Sequence, residues 1–160
     1  MSWAHLHLMI NHLPVLGAPL VLLLLGWALV RRSPGVARIA LWGTVLLGPV
    51  AQFVSVTGER SEDRLEHVVA LDEALVERHE ETAEIGTRLL LLTAAFAAFA
   101  LWRTRRAPNR RLLPATVFTG LLVASATLAY AAWTGGMIRH TEIHSGNWPT
   151  AAAEEHAERD

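Results

Sequence analysis

Residues Leu8–Val30, LMINHLPVLGAPLVLLLLGWALV, run without a single Asp, Glu, Lys or Arg. An α-helix needs about 20 apolar residues to cross a hydrocarbon core of about 30 Å, so this stretch reads as a membrane span. Its pattern recurs in Ile39–Gly58 and Leu112–Ile138, and in the shorter run Leu89–Trp102. At about 1.5 Å per residue that shorter run supplies only about 21 Å, so its helix is expected to begin earlier, near Glu84. The fold class that follows is all-α: a four-transmembrane-helix bundle with spans at about 8–30, 39–58, 84–102 and 112–138.

Composition agrees. Of 160 residues, 52% are hydrophobic, and the mean hydropathy of +0.29 is high for a soluble domain. One membrane domain is expected over residues 1–149, followed by a polar tail, 150–160. The N-terminal segment lacks the basic region of a cleaved secretory signal, since Met1–Leu8 has no Lys or Arg and the apolar run continues to Val30, so the first span should be retained. With no cysteine in the chain, disulfides, thiolate metal sites and covalent haem attachment are excluded.

The short connections are Ser33-Pro34-Gly35 and Ala107-Pro108-Asn109, both turn signals. Around them cluster Arg31, Arg32 and Arg38, and then Arg103, Arg105, Arg106, Arg110 and Arg111. Positive residues mark the cytoplasmic side, so both termini and the long middle connection are expected in the periplasm of a bacterial inner membrane. Short connections favour an up-down-up-down order. The sequence shows no internal repeat and no low-complexity tract. In the middle connection, 59–83, Leu65, Val68, Val69, Leu71, Leu75 and Val76 alternate with Glu62, Asp63, Glu66, Asp72, Glu73, Glu77, Glu80 and Glu81. That is the pattern of an amphipathic outer helix with an acidic face. It would cap the bundle or lie on the headgroups, and its acidity disfavours anionic lipid.

The chain has eight histidines, and all fall on the expected outer side. His5, His7 and His12 open the first helix, His67 lies in the outer segment, His79 leads into the third helix, His140 and His144 follow the fourth, and His156 is in the tail. His5 and His12 are two turns apart and share a face, while His7 points about 140° away from His12. Met9 and Met137 each precede a histidine, His12 or His140, by three residues. Three readings are open. In the first, imidazoles from facing helices ligate a b-type haem, Gly135-Gly136 allows a close approach, and Arg88 or Arg139 pairs with its carboxylates. In the second the centre is copper, zinc or iron, with Met9 and Met137 suited to Cu(I), and Glu80, Glu81 and Glu142 to a harder ion. In the third the histidines only make hydrogen bonds at the interface. His67, His144 and His156 belong to that reading. Glu84 and Arg88, acid before base at i,i+4, form a favourable helical pair near the outer interface. Trp3, Trp102 and Trp148 read as interfacial anchors.

Four blocks, HLHLMINHLPVLG (5–17), TGERSEDRLEH (57–67), HEETAEIG (79–86) and GGMIRHTEI (135–143), resemble those of a group of small, uncharacterised four-helix bacterial inner-membrane proteins. The resemblance covers nearly the whole chain, implies the same architecture and singles out His5, His7, His12, His79, His140 and Glu142. More distantly the design is similar to four-helix b-type membrane cytochromes. It departs from them in having no histidine near the inner face, which argues against electron transfer across the bilayer within one chain.

The leading expectation is a haem- or metal-binding protein, serving electron transfer or metal handling. His12, His79 and His140 are the first-choice ligands, His5 and His7 the next, and Arg88, Arg139 and Glu84 support them. Its partners would be the lipid bilayer, a quinol or periplasmic redox carrier, and a second copy or a larger membrane complex. Nucleic acid is not among them. The rival is a non-catalytic accessory or assembly subunit that acts by helix packing and an acidic docking helix. A hydrolase ranks below both, because no nucleophile and base stand at a recognisable spacing. A transporter ranks lower still, because the spans lack paired helix breaks.

Overall fold

In the computed structural model, residues 2–65, 73–106 and 112–139 are described. They form α1 (Trp3–Ile10), α2 (His12–Arg31), α3 (Pro34–Leu65), α4 (Glu73–Arg106) and α5 (Leu112–Arg139), with no strand among the described residues. Four segments are long and apolar enough to cross a membrane: Trp3–Arg31, Pro34–Ser61, Ala74–Thr104 and Leu112–Ile138. The all-α, four-span architecture expected from the uncharged runs is what the chain adopts.

Local chemistry sets the ends. Ser2 caps α1, its hydroxyl accepting from the His5 backbone N–H. The first span is interrupted at Asn11 because Pro14 has no N–H to offer the Ile10 carbonyl one turn back. At the other end of α2, Arg32 takes the left-handed conformation (φ 55°) and the Ser33 N–H closes back on the Ala28 carbonyl. The turn is therefore Arg32-Ser33. Pro34 opens α3, a position where its missing N–H has no helical partner to lose. The second turn signal, Ala107-Pro108-Asn109, and the tail lie outside the described residues.

The middle connection has a different form from the separate outer helix expected. Its described parts belong to the spans themselves: Glu59–Leu65 is the end of α3, and residues 73–83 are the start of α4. The remainder, 66–72, lies outside the described residues. Hydrogen bonding within one helix continues through polar and apolar residues alike, so amphipathic periodicity alone does not mark where one helix stops and the next begins.

In cross-section α2 packs against α3 and α5, and α4 packs against the same two helices, so α2 and α4 face each other across the bundle. Small residues hold the contacts close. Gly17 meets Leu47, Gly43 meets Val21, Gly48 meets Ala94, and Gly120 meets Thr93. The outward faces carry Leu20, Leu23, Leu46 and Leu92, all exposed, as a surface bathed in lipid requires.

The packing contains a repeat that the sequence does not display. Within α3 and α5 five pairs of buried residues correspond at constant register, Ala40 with Val117, Thr44 with Leu121, Ala51 with Leu128, Val54 with Ala131 and Thr57 with Thr134. Within α2 and α4 the pairs are Pro14 with Gly86, Ala18 with Leu90, Leu25 with Ala97 and Ala28 with Ala100. Contacts correspond too: Gly43 on Val21 in one half is Gly120 on Thr93 in the other. The expectation of no internal repeat is corrected accordingly. What repeats is the position of each packed side chain, which Ala, Leu, Val or Thr can fill. The spacing also changes between the first and second helix of each half, which hides the match from a linear comparison.

Candidate functional site: two matched histidine clamps

His7 projects from α1 toward the end of α3. Its Nδ1 is 3.1 Å from the Val54 carbonyl oxygen and 3.2 Å from Thr57 Oγ1, while the Thr57 hydroxyl donates to the same Val54 carbonyl at 2.7 Å. The ring lies over Gly58, where a Cβ would come within 3.1 Å of His7 Cε1. Trp3, one turn earlier, stacks beneath the Arg60 guanidinium at 4.6 Å, so two side chains on one face tie α1 to α3.

The other half repeats this on α4 and α5. His79 Nδ1 is 2.8 Å from the Ala131 carbonyl oxygen and 3.4 Å from Thr134 Oγ1, and Thr134 donates to Ala131 at 2.9 Å. Gly135 lies under the ring, with a Cβ there only 2.9 Å from His79 Cε1. Histidine, carbonyl, threonine and glycine thus occur twice, related by the internal repeat. His7 lies at the start of the first span and meets α3 near its end, and His79 lies near the start of α4 and meets α5 near its end, so the two clamps stand at one end of the bundle.

The tautomer follows from the acceptors. A carbonyl oxygen can only accept, so Nδ1 carries the hydrogen in both rings, and in the neutral imidazole Nε2 then holds the lone pair. This is the arrangement in which an imidazole ligates a metal through Nε2 while the backbone holds its other nitrogen. Both rings are half-buried. One turn after His7, Asn11 has a buried carboxamide oxygen without a hydrogen-bond partner among the described residues.

The other expected site residues fall elsewhere. His5, Met9 and His12 do share one face of the first span, but that face is exposed and turned away from the bundle. The reason is helical phase: with His7 directed at α3, a residue about 140° around the helix must point outward. Arg88 pairs with Glu84, as the i,i+4 spacing implies. Both are exposed, and Arg88, nine residues from His79, projects from about the opposite side of α4, so neither supports the ring of His79. Glu80 and Glu81 are exposed as well, and Met137 is half-buried near the end of α5. His67, His140, Glu142, His144, His156 and the side chain of Arg139 lie outside the described residues. Among the described residues no three His, Cys, Asp or Glu side chains come together as a metal-binding group.

Thr57 and Thr134 were not among the expected site residues. The signal for them was in the chain: VSVTG ends at Gly58 and AAWTG at Gly135, each placing a Thr-Gly pair three residues after the carbonyl that its histidine uses. Comparison with protein-family models, with curated proteins and with solved structures returns no match to this chain.

Proposed function

We propose that the protein is a membrane-embedded redox carrier that binds one metal-centred cofactor between His7 and His79, with haem b the best fit. The observation that carries this reading is the matched pair of imidazoles, each with Nδ1–H engaged by a backbone carbonyl and Nε2 left to ligate. A haem iron takes four nitrogens from the porphyrin and needs two more from the protein, which is the number of donors these clamps offer. A bare zinc site draws three or four ligands from side chains, and copper or iron would likewise need donors beyond the described pair. The group would supply one-electron chemistry at that end of the bundle, and the chain's own residues would hold the imidazoles in line and surround them with apolar helix.

By the arginine distribution, the clamp end faces the periplasm of a bacterial inner membrane, and both termini lie on that side. A quinol within the bilayer or a carrier in the periplasm would exchange electrons with it. The resemblance to b-type membrane cytochromes favours the same role.

The test is a reduced-minus-oxidised absorption spectrum, with metal analysis, on protein purified in detergent. Expected are a Soret band and a low-spin bis-imidazole spectrum that disappear in His7→Ala and in His79→Ala and persist in His5→Ala and His12→Ala. Stoichiometric copper, zinc or iron without porphyrin would transfer the site to the bare ion. Neither metal nor Soret band, before and after haem addition, would make the clamps helix fasteners and favour an accessory subunit that works by packing.

A further inference from the structure

The two threonines behave unlike their neighbours. Thr44 bonds the Ala40 carbonyl and Thr93 that of Leu89, four residues back, the usual way a helical threonine satisfies its own hydroxyl. Thr57 and Thr134 instead bond the carbonyl three residues back, and in both cases it is the carbonyl that accepts from a histidine. With its hydrogen so directed, each threonine oxygen turns its lone pairs toward Nδ1–H, at 3.2 Å for His7 and 3.4 Å for His79. Each imidazole therefore faces two acceptors, and the threonine fixes the distance between them. Both threonines are fully buried, so water does not substitute for either oxygen.

We infer that Thr57 and Thr134 are a matched pair of positioning residues that set the orientation and electron density of the two ligating imidazoles, and through them the redox potential of the bound centre. This rests on the cofactor reading above. Donation from Nδ1–H to a lone pair makes the ring a stronger electron donor through Nε2 and favours the oxidised metal. Removing one acceptor weakens that donation and raises the potential. Because the repeat gives the two imidazoles the same set of partners, carbonyl, threonine and glycine, the two threonines should act in the same direction and to a similar extent.

The experiment is spectroelectrochemical titration of full-length protein, loaded with haem, carrying Thr57→Val, Thr134→Val, both together, Thr44→Val, or the serine versions Thr57→Ser and Thr134→Ser. Expected are upward shifts of similar size from the two valine variants, a roughly additive shift in the double variant, and native potentials for Thr44→Val and both serine variants. Where a valine variant loses haem altogether, its serine counterpart retaining it at the native potential supports the role. Haem-loaded valine variants at the native potential would overturn it, as would serine variants that behave like valine or clearly unequal shifts at the two positions. Native protein that takes up no haem is a different failure, that of the cofactor reading, and removes this inference with it.

Discussion

At His7 and His79 a carbonyl decides which ring nitrogen carries hydrogen, and a glycine decides whether the ring can be there at all. A methyl group at Gly135 would meet His79 Cε1 at 2.9 Å and Nδ1 at 3.1 Å, and one at Gly58 would meet the His7 ring at 3.1 and 3.3 Å. Since overpacking of this kind costs about 1–3 kcal/mol unless the neighbour moves, Gly135→Ala and Gly58→Ala should each push a ring out of its clamp. Weaker cofactor retention is expected in both, more severely at Gly135. Titrating haem into the detergent-solubilised variants checks this, and native affinity in both would show that neither ring depends on the glycine beneath it. The histidines were legible in the sequence as a set outside the short connections, yet which of them the bundle would clamp was not. His12 and His7 both lie near the start of the first span, and only the rotational phase of the first helix, fixed by packing on α3, turns His7 onto its neighbour.

The same packing acts at the scale of whole helices. Gly48 admits Ala94 so closely that a Cβ would lie 2.7 Å from the Ala94 methyl. This contact is between α3 and α4, which belong to different halves of the repeat. Gly48→Leu is therefore expected to destabilise the bundle by at least about 1–3 kcal/mol, read as a lower thermal midpoint in detergent, whereas Gly35→Leu, with nothing within 4 Å, should leave the midpoint close to native. At the interruption of the first span, Pro14→Ala would restore the N–H that the Ile10 carbonyl lacks. It is expected to join α1 and α2 into one helix and to slow amide hydrogen exchange there; unchanged exchange would trace the break to something other than proline. Span positions were legible from charge-free runs because lipid tolerates no unpaired charge. The extents of α3 and α4 were less so, since polar residues continue a helix past the membrane without any local marker.

For the molecule as a whole, the proposed site takes one imidazole from each of two like halves, so one cofactor per chain is expected, whatever the oligomeric state. Porphyrin and protein quantified in the same sample check it, and two per chain would break the equivalence of the clamps. Orientation is testable because the chain has no native cysteine. In spheroplasts, Ser2→Cys should react with a membrane-impermeant maleimide, and Gly35→Cys should react only after lysis. The reverse pattern would put the clamp end in the cytoplasm and change the class of redox partner.

By itself the sequence determined that this chain is helical and spans a membrane four times, because the cost of charge in hydrocarbon is written residue by residue along the chain. It also placed every histidine outside the two short arginine-rich connections. Only the tertiary structure decided which of them are held by a carbonyl and a threonine of a neighbouring helix, which ring nitrogen is engaged there, and that the two halves repeat. Those properties depend on helix phase and on the close approach enabled by glycine and alanine, and they arise between segments far apart in sequence, where no single stretch carries the signal.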